Sequence, residues 1–236
     1  MELRIPLLLV GFKTYLQATG DAAVNLARIA EEVSDKTGID IVVIPQLTDV
    51  CRIRRETEVP VFAQHIDPIE PGSHTGYVLP EAVRDAGAVG TLINHSERKL
   101  PLERAAACIR RAREAGLISC VCSDSTGLSG RVAAYGPELI LVENPELIGS
   151  GRAVSSADPE IIAGTVRQVG AIDPEIRVVC GAGISSSDDV AAALNLGAVG
   201  VGAASAIVKA PDPRMALSDL AEALESNWTG ERSPVR

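Results

Sequence analysis

The chain has 236 residues, 46% of them hydrophobic, 22% charged and 3% aromatic, with 22 Lys and Arg against 31 Asp and Glu for a net charge of −9. That apolar fraction excludes a disordered chain, and the lack of strict three- or seven-residue repeats excludes a collagen-like or coiled-coil protein. The acidic surplus, unbroken by any basic run, argues against nucleic acid and anionic membrane surfaces as partners.

Eight short aliphatic runs follow one another along the chain: Ile5–Val10, Ile39–Ile44, Val59–Ala63, Ala88–Ile93, Leu117–Cys122, Glu138–Val142, Ile176–Cys180 and Ala198–Ala203. Short, nearly continuous apolar runs bounded by turn residues predict strands covered on both faces, as in a parallel sheet. Parallel pairing requires crossovers, and helical patterns lie between the runs. Asp21–Lys36 sets Val24, Ala27, Ile29, Ala30 and Val33 against Arg28, Glu31, Glu32 and Asp35. Pro101–Ala115, Asp158–Val169, Ser187–Leu196 and Asp212–Glu225 predict further helices. Ser187 stands as a cap before Asp188 and Asp189, and Gly116, Gly170 and Gly197 stand at C-terminal caps. The segments after the second and third runs carry a weaker helical period.

Eight βα units with no Pro/Gly-rich linker predict one α/β domain, a single (β/α)8 TIM barrel over residues 1–225, with a frayed tail at 226–236. A doubly wound sheet would tend to place G-x-G-x-x-G after the first strand, where this chain reads Gly11-Phe12-Lys13-Thr14-Tyr15. With so few aromatics, the barrel interior is expected to be filled by Val, Ile, Leu and Ala.

Five cysteines without a C-x-x-C pair fit reduced thiols and no zinc site, with Cys120 and Cys122 on one face of a strand. The start of the chain carries Glu2 and Arg4, and Lys13 interrupts the first apolar stretch, so no secretory signal and no membrane span are expected and the chain is read as cytoplasmic.

In a barrel of this kind the chemistry sits at the C-terminal ends of the strands. Just past the runs stand Lys13, then Asn94-His95-Ser96-Glu97, then Glu143-Asn144-Pro145-Glu146, then Gly181-Ala182-Gly183, then Ala204-Ser205. Taken singly each has a plain alternative: a solvated lysine, a histidine that caps a helix, an exposed loop carboxylate, glycines that serve a turn. Their convergence on one end of one barrel outweighs those alternatives. The turns after strands 7 and 8 are common phosphate sites, in which backbone N–H groups meet the anion. The residues alone therefore point to a phosphorylated small substrate, proton transfer by Glu143 and His95, and neither metal nor cofactor. His65 and His74 are too scattered to form a ligand cluster.

At these same residues the sequence resembles the triosephosphate isomerase family, in its short archaeal type. The resemblance runs from about residue 4 to 225. It is carried by Phe12-Lys13-Thr14-Tyr15, Ala63-Gln64-His65-Ile66-Asp67-Pro68, Gly72-Ser73-His74-Thr75-Gly76, Gly90-Thr91-Leu92-Ile93-Asn94-His95-Ser96-Glu97, Pro145-Glu146-Leu147-Ile148-Gly149 and Cys180-Gly181-Ala182-Gly183-Ile184-Ser185. It implies interconversion of dihydroxyacetone phosphate and D-glyceraldehyde 3-phosphate through an enediolate. In its terms Glu143 is the base, His95 the electrophile, working neutral at a helix N-terminus, and Lys13 the cation beside enediolate and phosphate. Glu97 pairs with Lys13. Gly11, Gly149, Gly183, Ala204 and Ser205 meet the substrate, Pro145–Gly151 forms a lid, and Thr75 reaches a neighbouring subunit in a homodimer or homotetramer.

Four stretches depart from the family pattern. Gly11 stands where an Asn is usual, Asn144 where a Pro is usual, Ser123-Asp124-Ser125-Thr126 where the family is Asn-rich, and Gly202-Ala203-Ala204-Ser205-Ala206 lacks bulkier residues before, and Gly after, its Ser. These keep two alternatives in view: an isomerase of a related phosphosugar such as a tetrulose phosphate, or a non-catalytic phosphometabolite-binding paralogue.

Overall fold

The computed structural model describes residues 3–144, 146 and 153–235. Among them eight parallel strands, β1 (Leu7–Gly11), β2 (Asp40–Ile44), β3 (Phe62–Ala63), β4 (Gly90–Ile93), β5 (Ile118–Ser123), β6 (Leu139–Val142), β7 (Arg177–Cys180) and β8 (Gly200–Ala203), form one sheet in the order β2-β1-β8-β7-β6-β5-β4-β3. Its two ends meet through a parallel bridge between Val43 and Val61, where the Val43 N–H donates to the Pro60 carbonyl at 3.0 Å. Closure leaves no open edge. The predicted (β/α)8 TIM barrel is therefore the fold.

Ten helices wrap the described barrel: α1 (Asp21–Thr37), α2 (Leu47–Glu56), α3 (Pro80–Asp85), α4 (Leu102–Glu114), α5 (Thr126–Ala133), α6 (Val154–Ala157), α7 (Pro159–Ile172), α8 (Ser187–Asn195), α9 (Ser205–Val208) and α10 (Pro213–Asn227). Two caps differ from the sequence reading. Ser186, not Ser187, caps α8, its hydroxyl accepting the Asp189 N–H at 3.3 Å while Asp189 Oδ2 accepts the Ser186 N–H at 3.0 Å. Gly116 and Gly197 take left-handed φ values of +70° and +93° at helix ends, but Gly170 lies inside α7, which runs on to Ile172. The Ser- and Gly-rich start of α5 carries little helical signal because its reason is packing. A Cβ on Gly130 would overlap the Gln168 side chain from α7, so the glycine leaves room for that carboxamide.

Strand alternation divides the apolar residues into two cores. Leu7, Leu9, Val42, Ile44, Leu92, Cys120, Cys122, Leu139, Leu141 and Val179 fill the barrel. Leu8, Val10, Ile41, Val43, Val121, Ile140, Val142 and Val201 face the helices. The interior is largely the Val, Ile and Leu filling expected from composition, with Cys120, Cys122 and one aromatic added to it. Phe62 sits in it, fully buried, and Gly90 makes the space, since a Cβ there would lie 2.5 Å from Phe62 Cε1.

The fraying expected of the tail is also corrected: among its described residues, 228–235 dock. Beyond α10, residues 228–235 return to the N-terminal mouth of the barrel. Ser233 O accepts the Ile5 N–H at 3.0 Å, Leu3 O accepts the Val235 N–H at 2.7 Å, and Pro234 bridges Arg4 in antiparallel sense. Arg232 Nη1 donates to Gly38 O at 2.7 Å. Val235 packs with Leu3 and Ile5 in the inner core, and Trp228 lies against it. Covering those residues and forming these bonds stabilises the barrel by about 2 kcal/mol after ordering costs. Truncation after Trp228 is expected to lower the Tm by roughly 4–8 °C, read by thermal circular dichroism; a Tm within about 1 °C of the full chain would show the docked segment to be energetically idle.

Candidate active site

The inward-facing positions that continue the strands past their C-terminal ends carry the polar groups. Gly11 ends β1, and Lys13 follows it with a left-handed φ of +47°. Its ammonium Nζ lies 2.8 Å from Glu97 Oε1, joining segments 84 residues apart.

After β4, Asn94 takes φ +64° and is held at both ends of its amide. Nδ2 donates to Cys122 O at 3.0 Å, and Oδ1 accepts the Leu100 N–H at 2.8 Å. That clamp sets His95 at the entry of a 3-10 turn, Ser96–Arg98. His95 Nδ1 accepts the backbone N–H of Glu97 at 3.2 Å. With Nδ1 in the accepting position, Nε2 is the ring nitrogen left to carry an N–H toward the cleft. Nε2 in turn faces Glu143 Oε2 at 3.5 Å.

Glu143 follows β6 and stays in sheet register, its N–H donating to Ser123 O at 2.8 Å. The carboxyl needs space inside the rim, and Gly181 supplies it: a Cβ there would lie 2.9 Å from Glu143 Cγ. The residue is 8% exposed, and Oε2 is buried without a hydrogen-bond partner. An unsatisfied buried carboxylate oxygen is costly and marks a group held ready for a partner. Beside it the Cys122 thiol is pushed well above its ordinary value, first by burial and then by the Glu143 carboxylate, so it stays protonated. A cavity of about 100 Å³ adjoins the carboxyl, bounded by Ser96, Cys122 and Glu143 among others, and Ser96 Oγ is likewise buried and unpartnered.

Across the rim, Ala182 and Gly183 take consecutive left-handed φ values of +65° and +75° after β7. Ala204 caps α9 and Ser205 begins it, where the first N–H groups of a helix lack internal acceptors. Gly11, Lys13, His95, Glu97, Glu143, Gly183, Ala204 and Ser205 all line one cleft of about 940 Å³. The structure thus gathers these predicted site residues.

Two parts of the sequence reading fall elsewhere. Thr75 sits on the exposed loop 70–77, outside the lining of that cleft. Gly149 and the segment Pro145–Gly151, Glu146 excepted, lie outside the described residues. At its entry Asn144 Oδ1 accepts the Glu146 N–H at 3.0 Å. The sequence reading passed over Gln46 and Gln64, which also line the cleft. The rule that found Lys13 and His95, polar residues just past an aliphatic run, finds both of these when applied to the second and third runs.

His65, which follows Gln64, is buried at the edge of the cleft with Nε2 3.3 Å from Asp67 Oδ1, and burial lowers its proton affinity. Among the described residues no group of three or more His, Cys, Asp or Glu is placed to hold a metal. No described helix is long and apolar enough to cross a membrane.

A family model described as triosephosphate isomerase matches residues 6–224. A triosephosphate isomerase of Methanobacterium bryantii is 50% identical over 215 residues, 91% of this chain and 95% of that one. Those of Methanosarcina barkeri (strain Fusaro) and Methanocaldococcus jannaschii are each 48% identical, covering 92% and 91% of this chain and 97% and 98% of their own lengths. With the matched length spanning β1 to α10 and every strand end that carries the cleft, the chain belongs to the triosephosphate isomerase family, whose members are isomerases.

Proposed function

We propose that the chain interconverts dihydroxyacetone phosphate and D-glyceraldehyde 3-phosphate through an enediolate. The observation that carries this reading is the approach of the buried Glu143 Oε2, which has no hydrogen-bond partner, to within 3.5 Å of His95 Nε2, in one cleft with Lys13. Glu143 takes the proton from the carbon beside the carbonyl and returns it to the neighbouring carbon. His95 Nε2–H donates to the oxygens as negative charge develops on them. A neutral imidazole suits this task, and triosephosphate isomerase is a well-studied case of that division of labour.

Lys13 places a positive charge beside the enediolate and the phosphate, which matters in a chain of net charge −9. Glu97 orients the ammonium. The phosphate is assigned to backbone N–H groups near Gly149, Gly183, Ala204 and Ser205, with Gly11 on the same wall. Pro145–Gly151 is assigned as the lid that excludes water and so guards the enediolate from losing phosphate. No cofactor is required by this chemistry. Thr75 is assigned to contact with a second copy in a homodimer or homotetramer. The five free cysteines support a cytoplasmic location.

A second reading has its own observation. Gly11 is not in the left-handed region, and a Cβ on it would meet only Ala204 Cβ at 3.6 Å and Ala203 O at 3.8 Å. The wall between β1 and β8 is therefore bare where side chains would fit, which favours room for a phosphosugar one carbon longer. A coupled assay on glyceraldehyde 3-phosphate and on a tetrose 4-phosphate separates the two. Turnover of the triose is expected, with kcat/KM for the tetrose at least ~10-fold lower, the scale of an unmatched substrate group. Preference for the tetrose would establish the second reading, and a folded protein inert to both would overturn each.

A further inference from the structure

Lys13 holds a backbone conformation that L-residues with long side chains rarely adopt, at φ +47°. Such a residue persists only where its surroundings over-determine it. Among the described residues, one side chain hydrogen-bonds the Lys13 carbonyl. Gln64 continues β3 at the same level of the rim, and its Nε2 donates to Lys13 O at 2.8 Å and to Ile44 O at 3.2 Å. Both acceptors are carbonyl oxygens, so the amide nitrogen must face them and the orientation of the amide is settled by its partners. Ile44 O also accepts the Phe12 N–H at 3.1 Å. One carboxamide thereby ties the turn after β1 to the end of β2.

We infer that Gln64 is a positioning residue for the reaction: by binding the Lys13 carbonyl it locks the left-handed turn that aims the Lys13 ammonium into the cleft and onto Glu97. The inference rests on the isomerase reading above for the role of Lys13, but the contact it concerns is geometric. Without the two N–H groups of Gln64, two carbonyls at the rim lose a donor, the turn after β1 relaxes toward negative φ, and the ammonium leaves its place 2.8 Å from Glu97. The inferred route to the reaction runs through Lys13, whose carbonyl is the nearer of the two acceptors.

The test is a kinetic cycle on full-length protein with glyceraldehyde 3-phosphate, using wild type, Gln64→Leu, Lys13→Met and the double variant, together with crystal structures of the single variants. Gln64→Leu is expected to lower kcat/KM roughly 30-fold in the wild-type background and less than about 3-fold in the Lys13→Met background, the signature of one residue acting through another. Equal losses in both backgrounds would overturn the inference, because packing of the rim would cost the same with or without the lysine. Gln64→Glu is nearly isosteric and, when ionised, has no donor; it stands in if Gln64→Leu does not fold, and the same pattern is expected of it. The structural arm is independent of activity: Lys13 should leave the left-handed region and its Nζ should part from Glu97. A variant structure with both retained would also overturn the inference, even for a protein inert to triose phosphate, whereas that inertness alone would count against the isomerase reading only.

Discussion

Replacing Glu143 by Gln is expected to lower kcat at least ~100-fold without loss of fold, the scale of removing a positioned general base. The substitution exchanges one carboxylate oxygen for an NH2 group. The volume and the Cγ contact made possible by Gly181 survive, and the backbone N–H still donates to Ser123 O. What disappears is the oxygen assigned above to take the proton from carbon. The orphaned Oε2 explains why the cost is expected on kcat: it accepts no hydrogen bond in the resting site, where His95 Nε2 stands 3.5 Å away, so its removal leaves the resting contacts in place. Because Glu143 is not assigned to the phosphate, KM should move by less than about 3-fold, the pattern of an interaction made only in the transition state. Steady-state kinetics beside a thermal melt would check this. A kcat within ~10-fold of wild type would remove Glu143 from the role of base.

His95→Asn is expected to cost roughly 100- to 1,000-fold in kcat, the range seen on losing one donor to a developing oxyanion. The ring performs two tasks through its two nitrogens. Nδ1 accepts the Glu97 N–H and so caps the 3-10 turn, while Nε2 points to the cleft and lies 3.5 Å from Glu143. Asn retains an acceptor for the turn, since it is a good helix-capping side chain, but is too short to present a donor where Nε2 stands. The variant thus separates the two tasks. Thermal stability should change by less than about 1 kcal/mol, the size of a cap lost outright, while turnover collapses. A parallel fall in stability and rate would assign His95 to holding the turn.

The barrel was legible in the sequence because its cause is local. Runs such as Ile39–Ile44 and Leu117–Cys122 are apolar on both alternating faces, and only a strand covered inside and outside requires that. Asp21–Lys36 carried its helix in its own period, and the structure extends it by one residue to Thr37. Lys13, His95 and Glu143 were legible for a related reason: each is the first reactive polar side chain past an apolar run, and parallel strands place such residues on one rim. The α5 helix was not legible, because Gly130 is there for the side chain of Gln168. Phe62 in the interior was hidden similarly, since its space comes from Gly90 on a neighbouring strand.

The docked tail marks the same boundary. Trp228 and Val235 are isolated apolar residues in a polar stretch, and isolated residues have no period. Their partners Leu3 and Ile5 stand at the other end of the chain.

The sequence by itself determined the eight strands, the longer helices between them, the rim on which the candidate site residues stand and the family to which the chain belongs. All of these are written in spacing along the chain or in short motifs. Only the tertiary structure decided the approach of His95 Nε2 to Glu143, the bare Oε2 of Glu143, the left-handed turn at Lys13 and the carboxamide of Gln64 beneath it. The physical reason is distance along the chain. The carbonyl of Lys13 meets an amide 51 residues away and its ammonium a carboxylate 84 residues away, and closing such loops is the work of the whole barrel, in which no local pattern takes part.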